Sequence, residues 1–143
     1  MKWVTRARPK TDRVACPWLI RRFIDPEAEI AYVPAGQVRD YAQRESARSF
    51  DAPDAEFMHR DGKCTFEVLI DDFGLTGDPA LARLAKIVHA ADIEGEQHTD
   101  PLGPGLLAVG LGALEVEPDD NTLLERESFV YDALYAWCQK YGS

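Results

Sequence analysis

Residues 12–25 read DRVACPWLIRRFID, and this stretch does the most to predict the fold. Its apolar residues recur at spacings of three and four, which is the pattern of a helix with one buried face. We therefore expect Trp18, Leu19 and Phe23 to anchor the hydrophobic core. The helix ends near Asp25, because the residue that precedes a proline avoids helical backbone angles.

Two residues are candidates for the start of this helix. Asp12 is a good N-cap, and Cys16 is another, because a proline that follows the cap is tolerated in the first helical turn. A helix that begins at Pro17 would place Cys16 at its positive end, where a thiolate is stabilised.

The same stretch carries three guanidinium groups, on Arg13, Arg21 and Arg22. Arginine forks and a helix N-terminus are the groups that bind a tetrahedral oxyanion. We therefore take these three arginines as candidate oxyanion-binding residues. The alternative is that they face water as part of a solvated basic edge.

Along the rest of the chain, the patterning predicts an α/β (α+β) fold in a single domain over residues 1–143. We expect a small three- to four-stranded sheet with a βαβαβ-like front, covered by about five helices. The expected strands span residues 2–6, 29–33, 49–51 and 55–59. The expected later helices span residues 36–45, 66–73, 79–92, 105–116 and 120–140, the fourth of them fully buried. The last should bury one stripe formed by Leu123, Val130, Leu134, Trp137 and Tyr141.

Composition narrows the class of protein. The 143 residues are 45% hydrophobic and 29% charged, as in ordinary globular domains, and the net charge is −9. A surface with this excess of negative charge repels nucleic acid, so we expect no direct nucleic-acid binding. No apolar run approaches the roughly 20 residues of a membrane span. The N-terminus is strand-like rather than leader-like, so we expect a cytoplasmic protein without a membrane association.

Two of the three histidines lie near carboxylates at informative spacings. His89 and Asp92 are three residues apart on a predicted helix, and so share a face. His59 ends a predicted strand, and Glu67 lies in the first turn of the next helix. Together the four residues are candidate ligands for a divalent or trivalent metal ion, Fe, Mn or Zn. The alternative is structural: each group could simply stabilise its own turn or helix end.

The cysteines are Cys16, Cys64 and Cys138, and their odd number and wide spacing argue against a disulfide framework. Cys16 and Cys64 each lie near a predicted helix start, where a lowered pKa would favour a nucleophile or soft ligand. These two are candidate catalytic residues, with structural burial as the alternative. We expect Cys138 to be structural.

Several motifs together resemble the chromate resistance protein ChrB domain family. They are WVTR at 3–6, the stretch at 12–25, HRDGKCTFE at 59–67, DPAL at 78–81 and YDALYAWC at 131–138. The resemblance implies a standalone domain associated with chromate resistance, which senses or processes an oxyanion. It also supports the importance of His59 and Glu67, both inside a matched motif.

Three functional hypotheses follow. The first is the oxyanion domain, whose partner is a small oxyanion or another small molecule. The second is a metal-dependent enzyme of unknown substrate that uses the His/carboxylate site. The third is an interaction module that forms a homodimer through the apolar helix around residues 106–114 or through the aromatic last helix.

Overall fold

The computed structural model describes residues 1–142 and confirms the α+β prediction, with a three-stranded parallel sheet and helices on both of its faces. The strands and helices are β1 (Lys2–Arg6), α1 (Asp12–Leu19), β2 (Glu29–Val33), α2 (Val38–Glu45), β3 (Arg48–Ser49), α3 (Thr65–Asp72), α4 (Pro79–Asp92), α5 (Gly103–Val116) and α6 (Asp120–Tyr141).

The sheet has the order β2-β1-β3, and β1 pairs in parallel with both neighbours. Parallel neighbours need a crossover connection, which α1 and α2 supply. Because β1 is covered on both faces, Trp3, Val4 and Thr5 are all buried. The predicted βαβαβ-like front is therefore correct.

The strand predicted over residues 55–59 is wrong. Only Phe57 pairs there, through an isolated bridge to Phe50. The backbone turns at Asp51 and Asp54, both at positive φ, and this breaks the extended conformation that a fourth strand would need.

Helix α1 begins at Asp12 with Thr11 as its N-cap, so the N-cap predicted at Asp12 is one residue late and the alternative start at Pro17 is wrong. Proline lacks the amide hydrogen that would bond to the carbonyl of Arg13, four residues earlier. The hydroxyl of Tyr32 donates to that carbonyl instead, at 2.7 Å, which explains how a mid-helix proline is tolerated. The helix continues as a π-helical turn, Ile20–Ile24, before β2.

The core confirms the anchoring role of the first helix. Trp18 and Leu19 are buried, and Phe23 packs against them from a partly exposed position. The Trp18 ring contacts the rings of Phe23, Tyr131 and Tyr135, with centroids 5.7–6.2 Å apart. This aromatic cluster ties α1 to α6.

Helix α5 differs from its predicted burial. Only Gly103, Leu106 and Gly110 are buried along it, whereas Val116 is 69% exposed. A Cβ on Gly103 of α5 would lie 2.5 Å from the Cβ of Ala90 on α4, so the buried side of α5 packs closely against α4. The opposite side of α5 faces solvent, and uniform apolarity in the sequence could not distinguish the two sides.

Helix α6 also departs from the predicted stripe. Leu123 is buried and both Val130 and Leu134 pack against the core, but Trp137 and Tyr141 are exposed. The buried face runs instead through Leu123, Leu124, Glu127, Tyr131, Tyr135 and Cys138.

Within residues 1–142, no helix combines the length and apolar character needed to cross a bilayer.

Candidate metal centre

Three carboxylates converge on the Nε2 atom of His59. Its distances are 3.1 Å to Asp92 Oδ2, 3.4 Å to Asp51 Oδ1 and 3.5 Å to Asp12 Oδ2. The aspartates are buried or nearly so, whereas the histidine side chain is 46% exposed. We call Asp12, Asp51, His59 and Asp92 the His59 site.

The topology of the sheet explains why these residues meet. Asp12 follows β1, and Asp51 follows β3. Because the two strands are parallel neighbours, their carboxyl ends lie at one edge of the sheet. The chain leaves β1 for β2 on one side and returns to β3 on the other. In open α/β sheets, such a topological switch point is where ligands bind.

The remaining two side chains reach this edge from elsewhere in the chain. Asp92 is the last residue of α4, and His59 lies in the loop between β3 and α3. Thr11 and Asp51 both have positive φ, at 46° and 49°. For a β-branched residue such as Thr11 this conformation is strained, and strain of this kind is concentrated at functional sites.

Hydrogen bonds fix two of the carboxylates. The Thr65 backbone N–H donates to Asp12 Oδ2 at 2.8 Å, and its hydroxyl donates to Asp51 Oδ1 at 3.0 Å. Arg6 Nη2 and Arg13 Nε each lie 3.6 Å from Asp51 Oδ2. Among the described residues, the buried Oδ1 of Asp12 has no hydrogen-bond partner.

Burial sets the protonation of the cluster. It raises the pKa of Asp12 well above its ordinary value, with the charge of Asp92 adding to the effect. Burial, followed by the charge of Asp51, also raises the pKa of Asp92. At Asp51, burial is outweighed by hydrogen bonds from His59 and Thr65, so its pKa is lowered. Hydrogen bonds to Asp12 and Asp51 raise the pKa of His59 to about 10.

The His59 site therefore holds three carboxyl groups whose charges would repel one another, and a bound proton or cation offsets that repulsion. Without a metal ion, the protonated imidazole of His59 fills that role. With one, the imidazole nitrogen and the carboxylate oxygens are the ligands that Mn, Fe and Zn accept. The ligand atoms of Asp12, His59 and Asp92 all lie within 4.8 Å of one another, which is close enough to share one ion.

The four predicted metal ligands are divided between two groups. His59 and Asp92 belong to the His59 site. Glu67 and His89 lie together in a second group with Cys64, which we call the Cys64 site. Glu67 Oε1 lies 2.6 Å from His89 Nδ1 and accepts the Cys64 backbone N–H at 3.0 Å.

The two candidate catalytic cysteines are both buried. Cys16 lies in the middle of α1, and burial followed by the nearby Asp12 charge raises the pKa of its thiol. The expected thiolate at a helix start is therefore wrong for this residue. Cys64 is the N-cap of α3, and burial raises the pKa of its thiol too. Cys138 is buried, as predicted.

The three candidate oxyanion-binding arginines are not brought together. Arg13 lies beside the His59 site. Arg21 and Arg22 line an open pocket at the other end of α1, with Trp18, Glu125, Ser128 and Asp132.

Carboxylates already face both arginines of this pocket. Arg21 Nη1 lies 2.7 Å from Glu125 Oε1, and Arg22 Nη1 lies 3.6 Å from Asp132 Oδ1. These ion pairs leave little positive potential for an anion.

Sequence reasoning missed Asp51 entirely and took Asp12 only as a helix cap. A usable signal did exist. Asp12 follows the first predicted strand and Asp51 ends the third, and the carboxyl ends of strands in a βαβαβ unit converge. Thr65 and Arg6 carried no comparable signal, because their roles depend on side-chain contacts.

The fold and the site together define a parallel α/β domain with a carboxylate–histidine cluster at its switch point. The chain belongs to the ChrB C-terminal domain family, which it matches over residues 3–138. It is 41% identical to Protein ChrB of Cupriavidus metallidurans over 134 residues, 94% of this chain and 40% of that protein. The chain thus spans well under half of that relative's length. No solved structure matches the chain.

Proposed function

We propose that this domain binds a metal ion at the His59 site and uses it to sense or process an oxyanion in chromate resistance. The observation that carries the proposal is the convergence of three buried carboxylates on one imidazole nitrogen, within 3.5 Å. Membership of the ChrB C-terminal domain family supports the link to chromate resistance.

Metal binding accounts for the unusual polarity of the site. The unpartnered Oδ1 of Asp12 is a buried acceptor, and leaving such an atom unpaired costs about 1–3 kcal/mol. A cation bound between Asp12, His59 and Asp92 would supply its partner. The same cation would offset the repulsion among the three carboxylates, and Arg6 and Arg13 would balance Asp51.

An oxyanion has a route to this ion. An open depression of about 350 Å³ borders His59 and is also lined by Arg6, Asp51, Pro53 and Met58, together with Ala52. A metal ion with an open coordination position attracts an anionic oxygen, and a guanidinium at the rim adds a charge-assisted hydrogen bond. We therefore assign oxyanion contact to Arg6, with Arg13 as its neighbour, rather than to Arg21 and Arg22.

Elemental analysis of protein purified without chelator tests the metal site. We expect bound Fe, Mn or Zn, of which close to one equivalent depends on Asp92, and a lower melting temperature after EDTA treatment. Asp92→Asn should weaken binding by at least about tenfold, since it removes a charged ligand. Asp132→Asn is the matched control, because it changes an exposed helical acid outside the site.

Two results would contradict metal binding: purified protein without metal that also shows no melting shift with Fe, Mn or Zn, or equal affinity in Asp92→Asn and the control. The oxyanion step has its own readout. Chromate and sulfate should raise the melting temperature of the metal-loaded protein, and Arg6→Ala should reduce that shift. If neither anion produces a shift, the oxyanion step is wrong even where metal binds.

A further inference from the structure

The Cys64 site brings three different ligand types together at the junction of two helices. Cys64 caps the start of α3, Glu67 lies in its first turn, and His89 projects from the last turn of α4. One ligand atom from each residue lies within 4.8 Å of the other two. None of these residues takes part in the His59 site.

We propose that Cys64, Glu67 and His89 form a second metal site that selects a thiophilic dication such as Zn²⁺. A thiolate, a carboxylate and a neutral imidazole carry two negative charges, so a dication makes the site neutral. The set of one sulfur, one oxygen and one nitrogen suits zinc in tetrahedral coordination, with a fourth position for water.

The surroundings of His89 match the outer shell of a zinc site. Its Nδ1 atom points to Glu67, and its Nε2 atom lies 3.7 Å from Glu96 Oε1. A histidine that ligates through one nitrogen typically donates its other N–H to a carboxylate, which fixes the tautomer and orients the ring. Glu96 Oε1 lies just beyond hydrogen-bond range of Nε2, and a small side-chain movement would let it accept that N–H once Nδ1 binds the ion.

The site also has an entrance. Glu67 lines an open depression of about 210 Å³ with Lys63, Ile70, Leu75 and Lys86, among others. Cys64 is buried, whereas the glutamate and histidine side chains are about one-fifth exposed. An ion can therefore reach the site from solvent through Glu67 and His89. Binding releases the thiol proton to solvent, since a coordinating thiol is deprotonated.

The alternative is that these contacts only stabilise the helix junction. Glu67 completes a capping interaction with the Cys64 backbone and bonds to His89, and both interactions exist without an ion. In this alternative the Cys64 sulfur only accepts the Glu67 backbone N–H of the capping box, and Glu96 only faces His89 across 3.7 Å. The two interpretations therefore differ in what substitutions at these two positions do to metal binding.

Cobalt(II) titration of the full chain, freed of metal, decides between them. A thiolate–cobalt bond gives a near-ultraviolet charge-transfer band, which an all-oxygen-and-nitrogen site lacks. We expect the band in the wild type and in Cys138→Ser, a matched buried cysteine. We also expect it in Asp92→Asn, which impairs only the His59 site, so the outcome is separable from the proposed function. The band should be lost in Cys64→Ser.

Glu96→Gln is a milder second variant for the case in which Cys64→Ser does not fold. It alters only the outer-shell carboxylate and should weaken cobalt affinity about tenfold or more, as second-shell changes at metal sites do. A missing charge-transfer band in the wild type, its persistence in folded Cys64→Ser, or unchanged affinity in Glu96→Gln would each overturn the second metal site.

Discussion

The two ends of the stretch at 12–25 carry similar charged residues and serve different purposes. At its N-terminal end, Asp12 is fully buried and Arg13 is largely buried, and both face the His59 site. At its C-terminal end, Arg21 and Arg22 lie on the surface and pair with acids of α6. Between them, Trp18 belongs to the aromatic cluster.

Position relative to the sheet decides the role of a charged residue here. The N-terminal end follows directly on β1, where the carboxyl ends of parallel strands gather functional groups. The C-terminal end lies a helix length away, against the outer helix α6. A motif that reads as continuous in the sequence is therefore divided between a site and a scaffold.

Trp18→Ala should produce the largest effect on stability. The ring is almost fully buried, contacts three other aromatic rings, and donates from Nε1 to Asp132 at 2.7 Å. Truncation of such a residue costs about 3–5 kcal/mol. We expect this loss in the free energy of unfolding from urea denaturation, with the metal content per folded chain unchanged.

Trp137→Ala is the matched control for this substitution. That indole is 38% exposed on the same helix, α6, that packs on Trp18, so its loss should cost much less. Equal costs for the two tryptophans would contradict the scaffold role of the C-terminal end. So would loss of metal from folded Trp18→Ala.

A smaller effect is expected in the pH dependence of stability of the metal-free protein, to which His59 at the N-terminal end contributes. The folded His59 has a pKa raised to about 10 by hydrogen bonds to Asp12 and Asp51, against an ordinary value of 6.5. Its contribution to stability is fully present below pH 6.5. It is lost as the pH rises towards 10, because unfolding then releases a proton. The raised pKa of Asp12 acts in the same direction from lower pH.

Urea denaturation across this range, in the presence of EDTA, should therefore show stability falling as the pH rises. His59→Gln should flatten the dependence, because no titrating imidazole remains at the site. Bound metal should oppose the fall, since its ligands must be deprotonated. A metal-free stability that increases from pH 6.5 to 10 would be inconsistent with this account.

Local sequence patterns predicted the fold well. β1 and β2 were predicted with their observed bounds, and Asp78 caps α4 by accepting the backbone N–H groups of Ala80 and Leu81. These features depend on the alternation of polar and apolar residues and on side chains that cap helices, and both are determined by residues close together in the sequence. The exposure of α5 could not be predicted, because it depends on which helix packs against which side.

The site was predictable only in part. His59 and Asp92 were chosen for their chemistry, and the structure places them 3.1 Å apart. Which of His89 and Asp92 meets Glu67 depends on how α3 packs against α4, which spacing does not encode. The start of α1 could not be predicted for a physical reason. Pro17 suggested a helix start, but the hydroxyl of Tyr32 on β2 donates to the Arg13 carbonyl that the proline leaves without a donor.

Arg21→Ala should have the smallest effect on stability, and it tests whether the charged residues at the C-terminal end of the stretch at 12–25 are surface ion pairs. Its guanidinium pairs with Glu125, which is 66% exposed, and such surface pairs contribute about 0–1 kcal/mol. Loss of the Nε donation to the Ala28 carbonyl, at 3.2 Å, removes one further partly buried hydrogen bond. We expect a change of about 1 kcal/mol in the free energy of unfolding.

The effect of Arg21→Ala on oxyanion binding is a second measurement. The chromate-dependent melting shift of the metal-loaded protein should remain at its wild-type size in Arg21→Ala while it decreases in Arg6→Ala. The reverse pattern would move oxyanion binding to the C-terminal end, beside Glu125 and Asp132. Those carboxylates would then have to turn away from the guanidiniums they now neutralise, and mutating them to amides should strengthen anion binding. Unchanged anion binding in the amide variants would instead support the surface ion-pair role of Arg21 and Arg22.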